Sequence, residues 1–266
     1  MTSLRIILSF SFLSLLFTAQ VRSECIKTMA WDDDYPYAFM LNPDDIQPRG
    51  LNIELALAVF AESKCQLRFL KMPWARALVE LSQGRIDIIG GAYSNQERQQ
   101  YARYSKISFH FENVLFIRTD ISNNVVLRTL SDIQKNQLKI GVQIDVYYGD
   151  AFETLKLTSD FSRLIYPNTS RKALWGMLSL GRIDGVIADA RSGQNELKRL
   201  GLSSVIVPSG LIIYDQASHF IFSKKSIKPE FVEEFDRTLT KLKAKGLINT
   251  ILEKYSPSKR IDKNFL

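Results

Sequence analysis

One heptapeptide occurs twice in this chain and constrains its fold more than any other feature. Leu81-Ser-Gln-Gly-Arg-Ile-Asp87 returns as Leu178-Ser-Leu-Gly-Arg-Ile-Asp184, displaced by 97 residues and identical at six of seven positions. In each copy a helical pattern ends on a glycine, which suits a left-handed C-terminal cap, and an apolar strand pattern follows. The same turn at the same place in the element order predicts two similar α/β lobes.

The rest of the chain fits that frame. Apolar runs predict strands at Ile26–Trp31, Leu67–Leu70, Ile86–Ile89, Val114–Arg118, Lys139–Val142, Asp184–Ile187, Ser204–Val207 and His219–Phe222. Helical patterns begin near Gly50, Pro73, Asn95, Tyr148, Thr169, Asp189 and Pro229. Strands separated by helices predict mostly parallel sheets flanked by helices. Lobe one is expected over residues 24–118 and lobe two over 119–214. Residues 215–266 hold no complete lobe and are expected to return to lobe one. Two chain crossings then make a hinge, with a cleft between the carboxyl ends of the strands.

The first 23 residues indicate the compartment. Arg5 precedes a 12-residue apolar run, Ile6–Phe17, and Val21-Arg22-Ser23 offers short side chains before Glu24. This is the pattern of a cleaved secretory signal peptide. The apolar run is too short to span about 30 Å of hydrocarbon. Export lowers the weight of the +7 net charge. Without Arg5 and Arg22 it becomes 33 basic against 28 acidic residues, spread along the chain, and no nucleic-acid partner is expected. The basic stretch Lys254–Lys263 reads as a solvated terminus. In an oxidising compartment Cys25 and Cys65 read as a disulfide, because neighbouring parallel strands would bring them together; two unpaired buried thiols are the competing reading. His110 and His219 lack zinc-ligand spacing with them, so no metal and no cofactor is expected.

Several motifs, in order, resemble those of the periplasmic solute-binding proteins that serve polar amino-acid ABC importers. Trp31-Asp-Asp-Asp-Tyr-Pro-Tyr37 resembles their opening strand and loop, and Arg49-Gly-Leu-Asn-Ile-Glu54 their first helix. Pro73-Trp74-Ala-Arg76, Ser94-Asn-Gln-Glu-Arg98, Tyr104-Ser105, Gly181–Asp189 and Ile221-Phe-Ser-Lys224 follow in the family's order. The resemblance spans nearly all of the chain beyond residue 23. It implies a type II periplasmic-binding-protein-like fold, a periplasmic location, a monomer, an inner-membrane ABC permease as partner, and capture of a polar carboxylate-bearing ligand by hinge closure.

The resemblance also assigns roles. Arg98, early in a helix after a small-residue turn, would grip a ligand α-carboxylate through paired hydrogen bonds; a surface salt bridge is its competing use. Asp189, ending a strand of the other lobe, would accept from an α-ammonium, or cap the following helix. Trp74 would pack on the ligand or into the core, and Tyr35 and Tyr37 would face it. Gly91, Tyr93, Asp34 and, on the second-lobe loop, Val146 complete the expected ligand contacts, and Arg76 would add a second positive contact or face solvent. Four positions depart from the family. Asp34 replaces an aromatic residue, Trp31 an aspartate, Tyr93 a small hydroxyl residue, and Asp145 a glycine, where an acid would disfavour an anion near a helix start.

Two other classes remain open on this scaffold. Some relatives are dehydratases of cyclic dienyl acids, for which Asp32, Asp33 and Asp34 would be the acids near the cleft; turnover of prephenate or arogenate discriminates that reading. A sensor module signalling through a partner receptor is the other.

Overall fold

The computed structural model describes residues 25–42 and 44–255. The expected signal peptide and most of the basic C-terminal stretch lie outside them. The elements run β1 Ile26–Trp31, α1 Leu51–Ala61, β2 Gln66–Lys71, α2 Trp74–Ser82, β3 Ile88–Tyr93, α3 Gln96–Tyr101 and β4 Ala102–Arg118. Next come α4 Thr119–Ser122, α5 Leu130–Lys135, β5 Ile140–Gln143, α6 Asp150–Lys156, α7 Ser159–Ser162, β6 Ile165–Asn168 and α8 Arg171–Ser179. The chain continues with β7 Gly185–Asp189, α9 Ala190–Arg199, β8 Ile206–Ser223, α10 Pro229–Ala244 and α11 Leu247–Tyr255.

The eight strands of the described residues form one mixed sheet of order β2-β1-β3-β8-β4-β7-β5-β6. Each end is a parallel trio, β2-β1-β3 at one and β7-β5-β6 at the other. The long strands β4 and β8 run antiparallel between them, from Ala102 opposite Ser223 to Arg118 opposite Ile206. The heptapeptide has the same job in both halves. Gly84 and Gly181 take φ of 77° and 69° after α2 and α8. The two aspartates then pin the turn to the central strand of their trio. Asp87 Oδ2 accepts from Thr28 N at 2.8 Å, and Asp184 Oδ2 from Lys139 N at 2.8 Å.

Four of the expected strands need correction. Ile86–Ile89 starts two residues late and continues through Gly90-Gly91 to Tyr93, because its far end pairs with β8 after an irregularity between Ile89 and Ala92. Val114–Arg118 is only the end of the 17-residue β4. Ser204–Val207 and His219–Phe222 lie at the two ends of the single 18-residue β8. The polar crossing segments between the two halves interrupt the apolar pattern while the ladder continues.

The core divides along the same line. Met29, Leu55 and Ile88 share one buried cluster with Phe220, Phe235, Leu239 and Leu252, so β8, α10 and α11 pack on the first trio. Phe152, Phe161 and Ile187 fill one face of the second trio, and Phe116 with Trp175 the other. The Ile26–Gln66 register places the starts of β1 and β2 side by side, and the Cys25–Cys65 disulfide closes that edge.

Candidate ligand-binding cleft

The carboxyl ends of β1, β3, β5 and β7 converge on a cleft of about 1110 Å³, where open α/β sheets bind ligands. Asp34, Tyr35, Tyr37, Trp74, Gly91, Tyr93, Arg98, Val146 and Asp189 all line it. Arg76 does not. Its side chain is 69% exposed on α2 and lies 3.7 Å from Glu80 one turn on. Two residues of helix rotate a side chain by about 200°, so Trp74 and Arg76 cannot share a face.

Arg98 is held from both its backbone and its side chain. Asn95 caps α3 by accepting from Arg98 N at 2.8 Å. The guanidinium is buried; Nη1 donates to the Tyr93 carbonyl at 3.0 Å and Nη2 to the Asp145 carbonyl, in the facing half, at 2.6 Å. It also sits 5.6 Å from the Trp74 ring centroid. Trp74 Nε1 donates to the same Asp145 carbonyl at 3.0 Å. Asp145 has φ +60°, the left-handed conformation that its missing glycine would suit and that aspartate tolerates better than most. The helix after it begins only at Asp150, and the Asp145 residue is exposed while its carbonyl meets Arg98. The Tyr93 hydroxyl is spent inside the first half, donating to the Phe111 carbonyl at 3.1 Å and accepting from Asn113 Nδ2.

Asp189 takes the capping role and also accepts a bond from the facing half. Oδ1 accepts from Arg191 N and Ser192 N, capping α9, and from the Tyr37 hydroxyl across the cleft at 3.0 Å. Tyr37 packs on Phe111 and Tyr35 on Phe39, with centroids 4.3 and 4.7 Å apart. Burial raises the Asp189 pKa from 3.8 to about 6, although the Ser192 N–H and the Tyr37 hydroxyl favour its ionised form. The folded state therefore holds this proton more tightly than the unfolded chain. The Asp189 contribution to stability falls as pH rises from about 4 to about 6. A ligand ammonium on this carboxylate needs it ionised. Affinity for such a ligand is expected to fall below about pH 6, by up to about tenfold per unit. Calorimetry between pH 5 and 8 measures this, and Asp189→Asn should flatten the profile.

Two residues that line the cleft, Arg171 and Glu196, and the buried Ser192 behind them were not expected from the sequence. Arg171 opens α8, and its Nη2 donates to Asp34 Oδ1 at 2.6 Å and to Glu196 Oε1 at 2.6 Å, while Nε donates to Glu196 Oε2 at 2.8 Å. Ser192 Oγ also donates to Asp34 Oδ1. Burial works against the Arg171 charge, but the Asp34 and Glu196 carboxylates outweigh it and hold its pKa above the ordinary value. The aromatic residue missing at position 34 is thus replaced by a carboxylate that bonds across the cleft. The 97-residue displacement of the heptapeptide was the signal that could have found Arg171. It carries α2, Trp74–Ser82, onto α8, Arg171–Ser179, and therefore Trp74 onto Arg171.

Among the described residues no group of three His, Cys, Asp or Glu side chains is placed to hold a metal ion, and no helix is long and apolar enough to cross a membrane. Solved structures share the fold. A histidine kinase sensor domain similar to periplasmic binding proteins matches with TM-score 0.74 at 18% identity, over 87% of this chain and 95% of that one. A histidine-bound substrate-binding protein of an ABC uptake transporter from Streptococcus pneumoniae matches with TM-score 0.73 at 20% identity, over 90% and 95%. The arginine-bound amino-acid ABC transporter protein AbpA from Streptococcus pneumoniae matches with TM-score 0.71 at 20% identity, over 87% and 94%. No curated protein sequence matches the chain significantly. A family model does match residues 27–258, and on that evidence the chain belongs to the bacterial extracellular solute-binding proteins, family 3.

Proposed function

We propose that this solute-binding protein captures a free amino acid or a close relative in the periplasm and delivers it to an ABC permease of the inner membrane. The observation that carries the reading is the pairing of a buried guanidinium, Arg98, with a half-buried carboxylate, Asp189, on facing walls of one cleft. Such a pair suits a zwitterion, with the α-carboxylate on Arg98 and the α-ammonium on Asp189. Two carbonyl contacts do not exhaust the five N–H groups of a guanidinium. Trp74, Tyr35 and Tyr37 supply aromatic walls, and Gly91, Tyr93 and Val146 line the remainder. In this reading residues 24–118 and 215–266 form one lobe, residues 119–214 form the other, and the monomer closes about β4 and β8. Solute capture requires no covalent step and no cofactor.

Charge narrows the ligand. The inner wall carries Asp32, Asp34, Asp189 and Glu196 against Arg98 and Arg171, a net charge of −2 when all are ionised. At the rim Asp33, paired with Lys71, and Lys172 and Arg199 lie exposed, a net charge of +2. A negative inner wall favours a ligand with a basic side chain and opposes a dicarboxylate. A thermal-shift panel tests the reading. At about 100 Kd a bound amino acid adds roughly 2.7 kcal/mol, or a shift on the order of 5–10 °C for this chain length. Arginine, lysine or histidine is expected to give the largest shift, and aspartate and glutamate the smallest. No shift across all the amino acids, or a preference for decarboxylated amines, would overturn the reading.

A further inference from the structure

Of the bonds that cross the cleft, those from Arg98 and Trp74 end on a backbone carbonyl, and the one from Tyr37 ends on the carboxylate proposed to receive the ligand ammonium. The Asp34–Arg171 contact is of another kind. It joins two oppositely charged side chains on facing halves, 137 residues apart in sequence. Arg171 is fixed from its own half before it reaches across. Glu196 accepts from two of its nitrogens, and Trp175 Nε1 donates to the same Glu196 carboxylate. The guanidinium fork is thereby oriented, and Nη2 meets Asp34. The Arg171 side chain is 13% exposed and that of Asp34 38%, so the guanidinium end of the contact is buried and the carboxylate end stays partly open to water.

The charge balance gives this third residue its meaning. Glu196 alone neutralises Arg171, so a second carboxylate is surplus within one half and leaves the triad at −1. Asp34 comes from the opposite half, and parting the halves would return it to solvent while Arg171 kept Glu196. Closing them adds a charge-assisted hydrogen bond in a partly dry setting, reinforced by Ser192 Oγ. Position 34 is also where the aromatic wall is missing, so a direct ligand contact has been exchanged for a contact between lobes.

We propose that Arg171 is a positioning residue, a clasp that draws the Asp34 loop onto α8 and α9 and sets ligand affinity through closure of the cleft. This rests on the reading of the protein as a hinged binder, and its test does not depend on which ligand binds. Spin labels at Leu41→Cys and Leu200→Cys, two exposed residues on the facing rims of the cleft, report the distance between lobes. With no ligand added, the parent is expected to populate a short distance. Asp34→Asn and Arg171→Gln should each shift the population toward longer distances, the double variant no further, and Arg171→Lys only part of the way.

Calorimetry with L-arginine should show each single substitution weakening binding at least about tenfold, with the double variant no worse than the weaker single. Asp34→Asn keeps the side-chain shape on a loop, and a retained melting transition establishes that it is folded. Unchanged distances in both folded single variants would overturn the clasp. So would additive losses of affinity, because Arg171 would then touch the ligand itself. If L-arginine fails to bind, the ligand reading is affected, and the distances still decide the clasp.

Discussion

Replacing Arg98 with alanine is expected to weaken binding of an amino-acid ligand by about 30- to 5000-fold. That range corresponds to the roughly 2–5 kcal/mol lost when one partner of a buried charge pair is truncated. Two losses combine here. The ligand carboxylate loses its paired donors, the Tyr93 carbonyl loses the Arg98 bond, and the Asp145 carbonyl, reaching from the opposite half, keeps only Trp74 Nε1 of its two side-chain donors. The substitution should not unfold α3, whose cap uses the backbone N–H of residue 98. Arg98→Lys keeps the charge without the planar fork and should fall between parent and alanine. Calorimetry on the amino acid giving the largest thermal shift measures all three, and unchanged affinity would remove Arg98 from the grip.

The parts of this molecule that were legible in sequence are those that repeat or punctuate. The two heptapeptides announced paired halves because both glycines must take positive φ and both aspartates must hold a neighbouring strand. Asn95, Pro73 and Pro229 marked helix starts within a residue or two, since caps and N-terminal prolines act locally. What escaped notice is non-local. The length of β4 and β8 depends on each being the other's partner across both halves, which no short window contains. The four-residue β6 sits at the sheet edge with Pro167 inside it and shows little pattern of its own.

The cleft shows the same division. Arg98, Asp189 and Trp74 stand at element starts and ends that sequence reading locates, and the cleft gathers them. Arg171 has no local mark that sets it apart from the chain's other basic residues. Its meaning comes from Asp34 and Glu196, each reached only through the tertiary fold. Arg76 fails for the opposite reason. A motif neighbour of Trp74, it is turned away by helical rotation alone.

Gly50→Ala is expected to destabilise the protein by about 3 kcal/mol or more and to weaken binding with it. Gly50 precedes α1 with φ 121° and ψ 169°, a region that glycine occupies almost alone. An added Cβ would lie 2.4 Å from the Tyr37 carbonyl oxygen and 2.8 Å from Ala38 N. These are backbone atoms, so no side-chain rotation relieves the contact. They are also tied down: Tyr37 O accepts from Asn52 N, Pro36 O from Leu51 N, and Ala38 N donates to Asp34 O. The loop can yield only by moving as a unit, which displaces Asp34, Tyr35 and Tyr37 from the cleft together. Gly201→Ala separates strain from collision, because Gly201 has φ 69° with nothing within 4 Å of its added Cβ. It should cost only about 1–2 kcal/mol and leave affinity intact. Thermal melts place Gly50→Ala roughly 6–12 °C below the parent. Equal melting of the two variants would mean that this loop accommodates the methyl group and that α1 does not set the shape of the binding wall.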